Sequence, residues 1–260
     1  MVRRSFSEIL RAGGVDAGVE YGSLQELVFE RYGLYSLMDR SFRDVWFAGT
    51  AISLDDFNER YGFDFEGLAV DMSVDDLLEF CEYVYNFAGA LYNQDQDVCA
   101  AAMSHVNKLV DKLGHVALVD DGLTVFVPKN ANVMAAAEVA PGEIVIDLMR
   151  YDYRKYDGDL AEKRVILLRL IDQLEPKRKR IGELSKKTEG DIFFIANNLN
   201  LRHNNVDPQD VRKFKPAVQE MSDAELERWY DHCRDLCAAA FLLLGCDDRR
   251  TELDELKSRL

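Results

Sequence analysis

The stretch SDAELERWYDHCRDLCAAAFLLLG, residues 222–245, decides the class of fold. Ser222 supplies an N-cap hydroxyl, and Glu225, three residues on, completes a capping-box pattern. Behind them Leu226, Trp229, Tyr230, Cys233, Cys237, Ala240, Phe241 and Leu244 recur at steps of three and four. Only an α-helix puts such a series on one face, so all eight are expected in a core, with Gly245 as the C-terminal stop.

Working outward, the same periodicity returns in Leu160, Leu167, Leu170, Ile171 and Leu174, after which Pro176 must kink or restart the helix. Another helix is predicted from near Asp191, in DIFFIANNLNLRHNN, with Ile192, Ile195, Ala196 and Leu199 inward. Helices on short links make a bundle over residues 151–260. Upstream, Ser73 is an N-cap with Asp75 and Asp76 in the first turn, and Leu77, Leu78, Cys81, Val84, Tyr85 and Ala88 form its apolar face. A second helix runs from Gln96 to Leu113, stopped by Gly114. VALVDDGLTVFVPKN, residues 116–130, places Asp121-Gly122 between two apolar runs, a β-hairpin signature near 115–128. Ile144–Ile146 reads as a further short strand, and helix-like segments near 23–31 and 35–47 are separated by Gly33. The expected fold is mostly α with a small β-hairpin. It has an N-terminal helical, winged-helix-like part over 1–150 and a helical bundle over 151–260.

The chain has 260 residues, 48% of them hydrophobic, and a net charge of −15, which excludes disordered and collagen-like classes. No uncharged apolar run reaches about 18 residues, so no membrane partner is expected. Glu8 and Arg11 interrupt the one candidate leader. Five cysteines, an odd number in a chain of this size, suit reduced thiols and a cytoplasmic location. The charge is uneven: residues 1–150 hold 11 Lys+Arg against 25 Asp+Glu, and residues 151–260 hold 21 against 22. Within 163–187 nine basic residues, Lys163, Arg164, Arg169, Lys177, Arg178, Lys179, Arg180, Lys186 and Lys187, meet three acidic ones. Such a face is either solvated, paired internally, or a polyanion contact made chiefly by Lys177, Arg178, Lys179, Arg180, Lys186 and Lys187.

The segment NNLNLRHNN, residues 197–205, is the hardest to explain as packing, because its five Asn, Arg202 and His203 are costly in a helix and need partners if buried. Arg holds phosphate bidentately and His exchanges protons near neutral pH, the chemistry of metal-independent RNA cleavage. The other reading is a polar helix end, with Arg202 and His203 complementing the dipole. Tyr151, Tyr153 and Tyr156, interleaved with Arg154 and Lys155, either stack bases or pack a junction. Lys129, near the end of the wing, either touches nucleic acid, against the nearby Asp120 and Asp121, or belongs to a purely structural wing. His232, Cys233 and Cys237 are conceivable zinc ligands, but both cysteines lie on the apolar stripe, so no metal and no cofactor are expected. Walker, dinucleotide and zincin motifs are absent from the sequence.

The hairpin VALVDDGLTVFVPKN, the LNLRHNN helix end and the final helix WYDHCRDLCAAAFLLL together resemble bacterial abortive-infection proteins that join a small N-terminal module to a HEPN-type helical bundle. The resemblance spans residues 73–244. It implies a homodimeric, metal-independent endoribonuclease of phage defence, or an RNA-associated protein, with a companion antitoxin or defence protein as a possible partner. His203 would be the general acid or base, Arg202 the phosphate ligand, and Asn198 and Asn205 positioning groups. The family's pattern sets an Arg four to six residues before a His, whereas Arg202 and His203 are adjacent. The alternative is a non-catalytic helical binding module for nucleic acid or a partner protein.

Overall fold

The computed structural model describes residues 73–93, 95–120 and 122–260. The readings at 23–31 and 35–47, and Asp121, lie outside them. The chain divides into two compact units, residues 1–126 and 127–260. The described residues are mostly helical with one two-stranded hairpin, and no described helix is long and apolar enough to cross a membrane.

In the first unit α1 (Val74–Leu91) opens on Ser73, whose Oγ accepts the Asp76 N–H (3.1 Å) while Asp76 accepts the Ser73 N–H (3.0 Å), a complete capping box. Helix α2 (Gln96–Lys112) is capped by Asp95, packs beside α1 and stops at Gly114, whose φ of +74° suits a residue without a Cβ. Strands β1 (His115–Asp120) and β2 (Leu123–Pro128) form the hairpin, with Gly122 at φ +79° in its turn. Burial does not alternate along β2: Phe126 and Val127 are both buried, and Leu123 is 59% exposed. The cause lies on α1. Buried Glu82 accepts the Phe126 N–H (2.8 Å), and Asn86 both accepts the Thr124 N–H (2.8 Å) and donates to its carbonyl (2.7 Å). Side chains of a helix thereby satisfy backbone groups that a third strand would otherwise take.

The second unit begins with α3 (Ala131–Ala137), capped by Asn130, and α4 (Gly142–Arg150). Residues 144–146 are therefore helical, not a strand: Ile144 and Leu148 bury one helical face, and Asp147 pairs with Arg169 at 3.0 Å. A 3-10 turn at Arg154–Tyr156 leads to α5 (Leu160–Leu174). Pro176 then forces a 3-10 turn (Glu175–Lys177) before α6 (Arg178–Leu184). Ser185 caps α7 (Lys186–Asn198), which starts five residues earlier than Asp191. A short α8 (Pro216–Gln219) precedes α9 (Asp223–Arg259), where Ser222 caps as predicted, accepting the Glu225 N–H at 3.2 Å.

One apolar core joins Val133, Ala136, Ile144 and Leu148 to Tyr151, Ile166, Leu170, Ile192, Tyr230, Phe241 and Leu244. The unit thus takes in residues 127–150, which the charge step assigned to the N-terminal part. Helix α9 does not stop at Gly245. A Cβ there would lie 2.4 to 2.9 Å from the Val139 side chain, so this glycine allows the 131–140 segment to pack close. Trp229, placed in the core by periodicity, is instead 38% exposed.

Candidate functional site

Helix α7 ends at Asn198, and Asn200 turns the chain away at φ +56°, a conformation asparagine tolerates better than most residues. Arg202 and His203 consequently stand in a loop and not on successive helix positions. Asn205, 1% exposed, closes that loop. Its Oδ1 accepts the Asn200 N–H (2.9 Å), and its Nδ2 donates to the carbonyls of Asn197 (3.2 Å) and Lys213 (2.7 Å). Its side chain is therefore committed to holding the 199–215 segment.

Arg202 is also committed. Its guanidinium lies 2.5 Å from Glu175 and 3.6 Å from Asp172, and 5.5 Å from the centroid of buried Phe193. Arg178 reaches the same ring (4.2 Å), Glu189 (2.5 Å) and Glu175 (3.9 Å). Two guanidiniums thus share three carboxylates, an arrangement that cancels the charge a phosphate would seek. Asn198 faces another way, donating to the Phe194 carbonyl (2.9 Å) beside a pocket that Arg202 does not line. His203 is half-buried in the loop. The four residues lie within one segment but are directed to separate tasks.

The basic run is largely answered inside the unit. Lys163, 5% exposed, sits 2.6 Å from Glu227 and 3.2 Å from Asp231, and 5.0 Å from the Tyr151 ring. Burial works against its ammonium, but the hydrogen bonds to Glu227 and Asp231 outweigh that and hold its pKa above the ordinary lysine value. Glu227 shifts down: burial opposes its charge, and Lys163 with the Gly158 N–H more than compensates. Arg164 donates to the Leu201 carbonyl (2.8 Å), Arg169 pairs with Asp147, and Arg180 pairs with Asp247 (2.5 Å) and Asp248 (2.6 Å). Lys177 lies 5.9 Å from the Phe241 ring. Lys179, Lys186 and Lys187 are exposed. Around the shallow basin bounded by Arg178, Lys179 and Lys186, Glu175 and Glu189 interleave with the basic groups.

Tyr151 and Tyr153 are buried, and Tyr156 accepts a hydrogen bond from Arg150 (3.0 Å), so the tyrosines pack inside the second unit and not at its boundary. Tyr151 donates to Asp231 (2.9 Å), and buried Arg234 pairs with Asp152 beneath it. Cys233 and Cys237 are fully buried in the core, and the hydrogen-bonding contact with Cys233, followed by burial, raises the Cys237 thiol pKa. Among the described residues no cluster of three potential metal ligands occurs.

What periodicity missed is a pocket of about 580 Å³ between α7, α8 and α9. Its walls are mainly Phe194, Ile195, Leu199, Val218, Met221 and Trp229, and Asp191, Asn198, Lys215 and His232 stand among them. The signal was the pair Phe193-Phe194. Adjacent helix positions diverge by about 100°, so one Phe can enter the core and the other cannot. Phe193 is 2% exposed and Phe194 63%. Trp229 stacks edge-on to His232 (6.2 Å) along the opposite wall.

No protein-family model, curated protein or solved structure matches this chain.

Proposed function

We propose that this protein is a non-catalytic helical binding module, whose C-terminal unit receives an apolar anchor side chain of a partner protein in the pocket between α7, α8 and α9. The observation that carries this reading is the solvent exposure of Phe194 and Trp229 on the walls of a concave, mainly apolar site. Recognition sites have this composition, with aromatic walls and a few polar groups for orientation. The site carries one lysine and one aspartate, Lys215 and Asp191, so it offers little attraction to a phosphate backbone and suits a peptide.

A displayed peptide library selected on the intact protein tests this. Expected is enrichment of sequences sharing one large apolar residue, with binding lost in Phe194→Asp and weakened about tenfold or more in Trp229→Ala. Peptides that bind the Phe194→Asp protein equally well would rule the pocket out.

A ribonuclease or RNA-associated reading, with a HEPN-like bundle and a winged-helix-like N-terminal module in phage defence, is kept by one observation. Because α7 ends at Asn198, Arg202 and His203 share a loop and need not diverge as neighbours in a helix do. Incubation with total RNA in EDTA separates the readings. Cleavage that disappears in both His203→Ala and Arg202→Ala establishes the enzyme and overturns the non-catalytic module. Persistent RNA binding without cleavage, reduced by Lys179→Gln, Lys186→Gln and Lys187→Gln together, assigns a polyanion contact instead.

A further inference from the structure

Helix α9 runs for 37 residues, yet its last buried position is Leu244, and every residue from Asp248 to Leu260 is exposed. At about 100° per residue, the line that buries the bundle continues through Asp247, Asp248, Thr251, Glu255 and Ser258, all polar. The apolar residues of this stretch lie on the other side. Measured round the axis from Leu244, Cys246 stands at about 200°, Leu253 at about 180°, Leu256 at about 120° and Leu260, just past the helix end, at about 160°. Leu253 and Leu256 are 49% and 51% exposed, and Cys246 is the exposed member of the five cysteines. Arg180 anchors the root of the segment through Asp247 and Asp248, on the face away from the leucines.

The spacing is that of a heptad seam. Cys246, Leu253 and Leu260 take the first core position, called a, and Arg249 and Leu256 the second, called d. Flanking the seam, Glu252 and Arg259 fall at g, and Arg250 and Lys257 at e. In a parallel pair each g residue meets the e residue five places further along the other helix, which sets Glu252 against Lys257 of a second copy, twice by symmetry. An antiparallel pair sets g against g and e against e: Glu252 would meet Arg259 there, but Arg250 and Lys257 would repel, whereas the parallel pair has no like-charge flanking contact.

We infer that residues 246–260 form an interaction surface for a second copy of this chain, pairing in parallel and in register as a short two-stranded coiled coil. Arg249 is the polar residue of the seam. Two guanidiniums facing each other at d weaken the pair, which keeps the association reversible. The inference is independent of the pocket reading, because it uses neither its residues nor its face.

Sedimentation of the full-length protein across the micromolar range tests it. Expected is a monomer–dimer equilibrium that the combined Leu253→Asp and Leu256→Asp substitutions weaken by about tenfold or more, with the melting temperature of the dilute protein unchanged. Arg249→Leu should tighten it by about tenfold or more. Glu252→Lys should weaken it, and adding Lys257→Glu should restore it. Treatment with a copper oxidant reads the orientation. Two Cys246 thiols lose two protons and give two electrons to the added oxidant, and the S–S bond formed links two copies covalently. Parallel in-register a positions lie within disulfide reach, so this product should form and be absent in Cys246→Ser. A protein monomeric throughout the range, a dimer indifferent to the two aspartates, or a dimer that yields no Cys246 bond would each overturn the proposal.

Discussion

The two stretches of the long helix 223–259 have the same secondary structure and opposite surroundings. From Leu226 to Leu244 one face is locked into the core by Tyr230, Cys233, Cys237 and Phe241, and even its arginine, Arg234, is buried against Asp152. Beyond the Arg180 anchor at Asp247 and Asp248 the helix is held by local contacts such as Lys257 with Asp254 (2.9 Å) and Thr251 with the Asp247 carbonyl (3.1 Å). Helicity alone therefore does not say what a helix is for. In the first stretch stability depends on tertiary burial, and in the second the side chains are available to something outside the unit.

The largest effect that would sharpen this contrast is expected at Phe241, 3% exposed. Its replacement by Ala should cost about 3–5 kcal/mol in thermal or urea unfolding, whereas Leu253→Ala on the same helix should stay within about 0.5 kcal/mol. Equal costs would erase the distinction.

Next comes Lys163, which ties α5 to Glu227 and Asp231 on the buried stretch. Lys163→Met should cost about 3 kcal/mol, at the low end for breaking a buried pair because both carboxylates keep some contact with water. Its pH signature has a definite sign. The raised Lys163 pKa means its contribution is full below the ordinary lysine value, about 10.4, and is lost as pH rises through the higher folded value. The lowered Glu227 pKa contributes above about 4.3 and is lost as pH falls through the lower folded value. Melting temperature against pH should therefore flatten on both limbs in Lys163→Met, and an unchanged profile would deny the pair its role.

Gly245 marks the boundary between the stretches, and there the sign of the effect is the test. Helix propensity alone predicts that Gly245→Ala stabilises by about 1 kcal/mol. The Val139 side chain in the way predicts destabilisation by about 1–3 kcal/mol, and this is the outcome expected in urea unfolding. The smallest effect belongs to Leu253→Asp with Leu256→Asp, which should move the unfolding free energy of the dilute protein by no more than about 0.5 kcal/mol. A larger loss would show these leucines packing within their own chain.

Much of the fold was legible beforehand because its signals are local. Ser73, Ser222 and Gly114 mark helix ends through bonds and dihedrals made within a few residues of themselves. The hairpin turn at Gly122 is equally local. Ile144–Ile146 misled because three apolar, β-branched-rich residues cannot distinguish a strand from a buried helical turn, and only Arg169 and the core beyond it decide. Gly245 misled because a glycine that ends a helix and one that admits a neighbour look identical in sequence. The candidate site was the least legible part. The run 197–205 announced that polar groups needed partners, without saying that Asn205 would find them in the backbone of its own loop, or Arg202 in Glu175.

By itself, then, the sequence determined the helix caps, the hairpin, the apolar faces of 160–174 and 226–244 and the imbalance of charge, since each follows from interactions between near neighbours and from the 3.6-residue period. Tertiary structure alone decided which cations of 163–187 are neutralised, which of Phe193 and Phe194 meets solvent, and where the long helix leaves its bundle. Those outcomes depend on residues such as Glu227, Asp247 and Val139, far away in the chain, and spacing carries no record of what folding brings beside it.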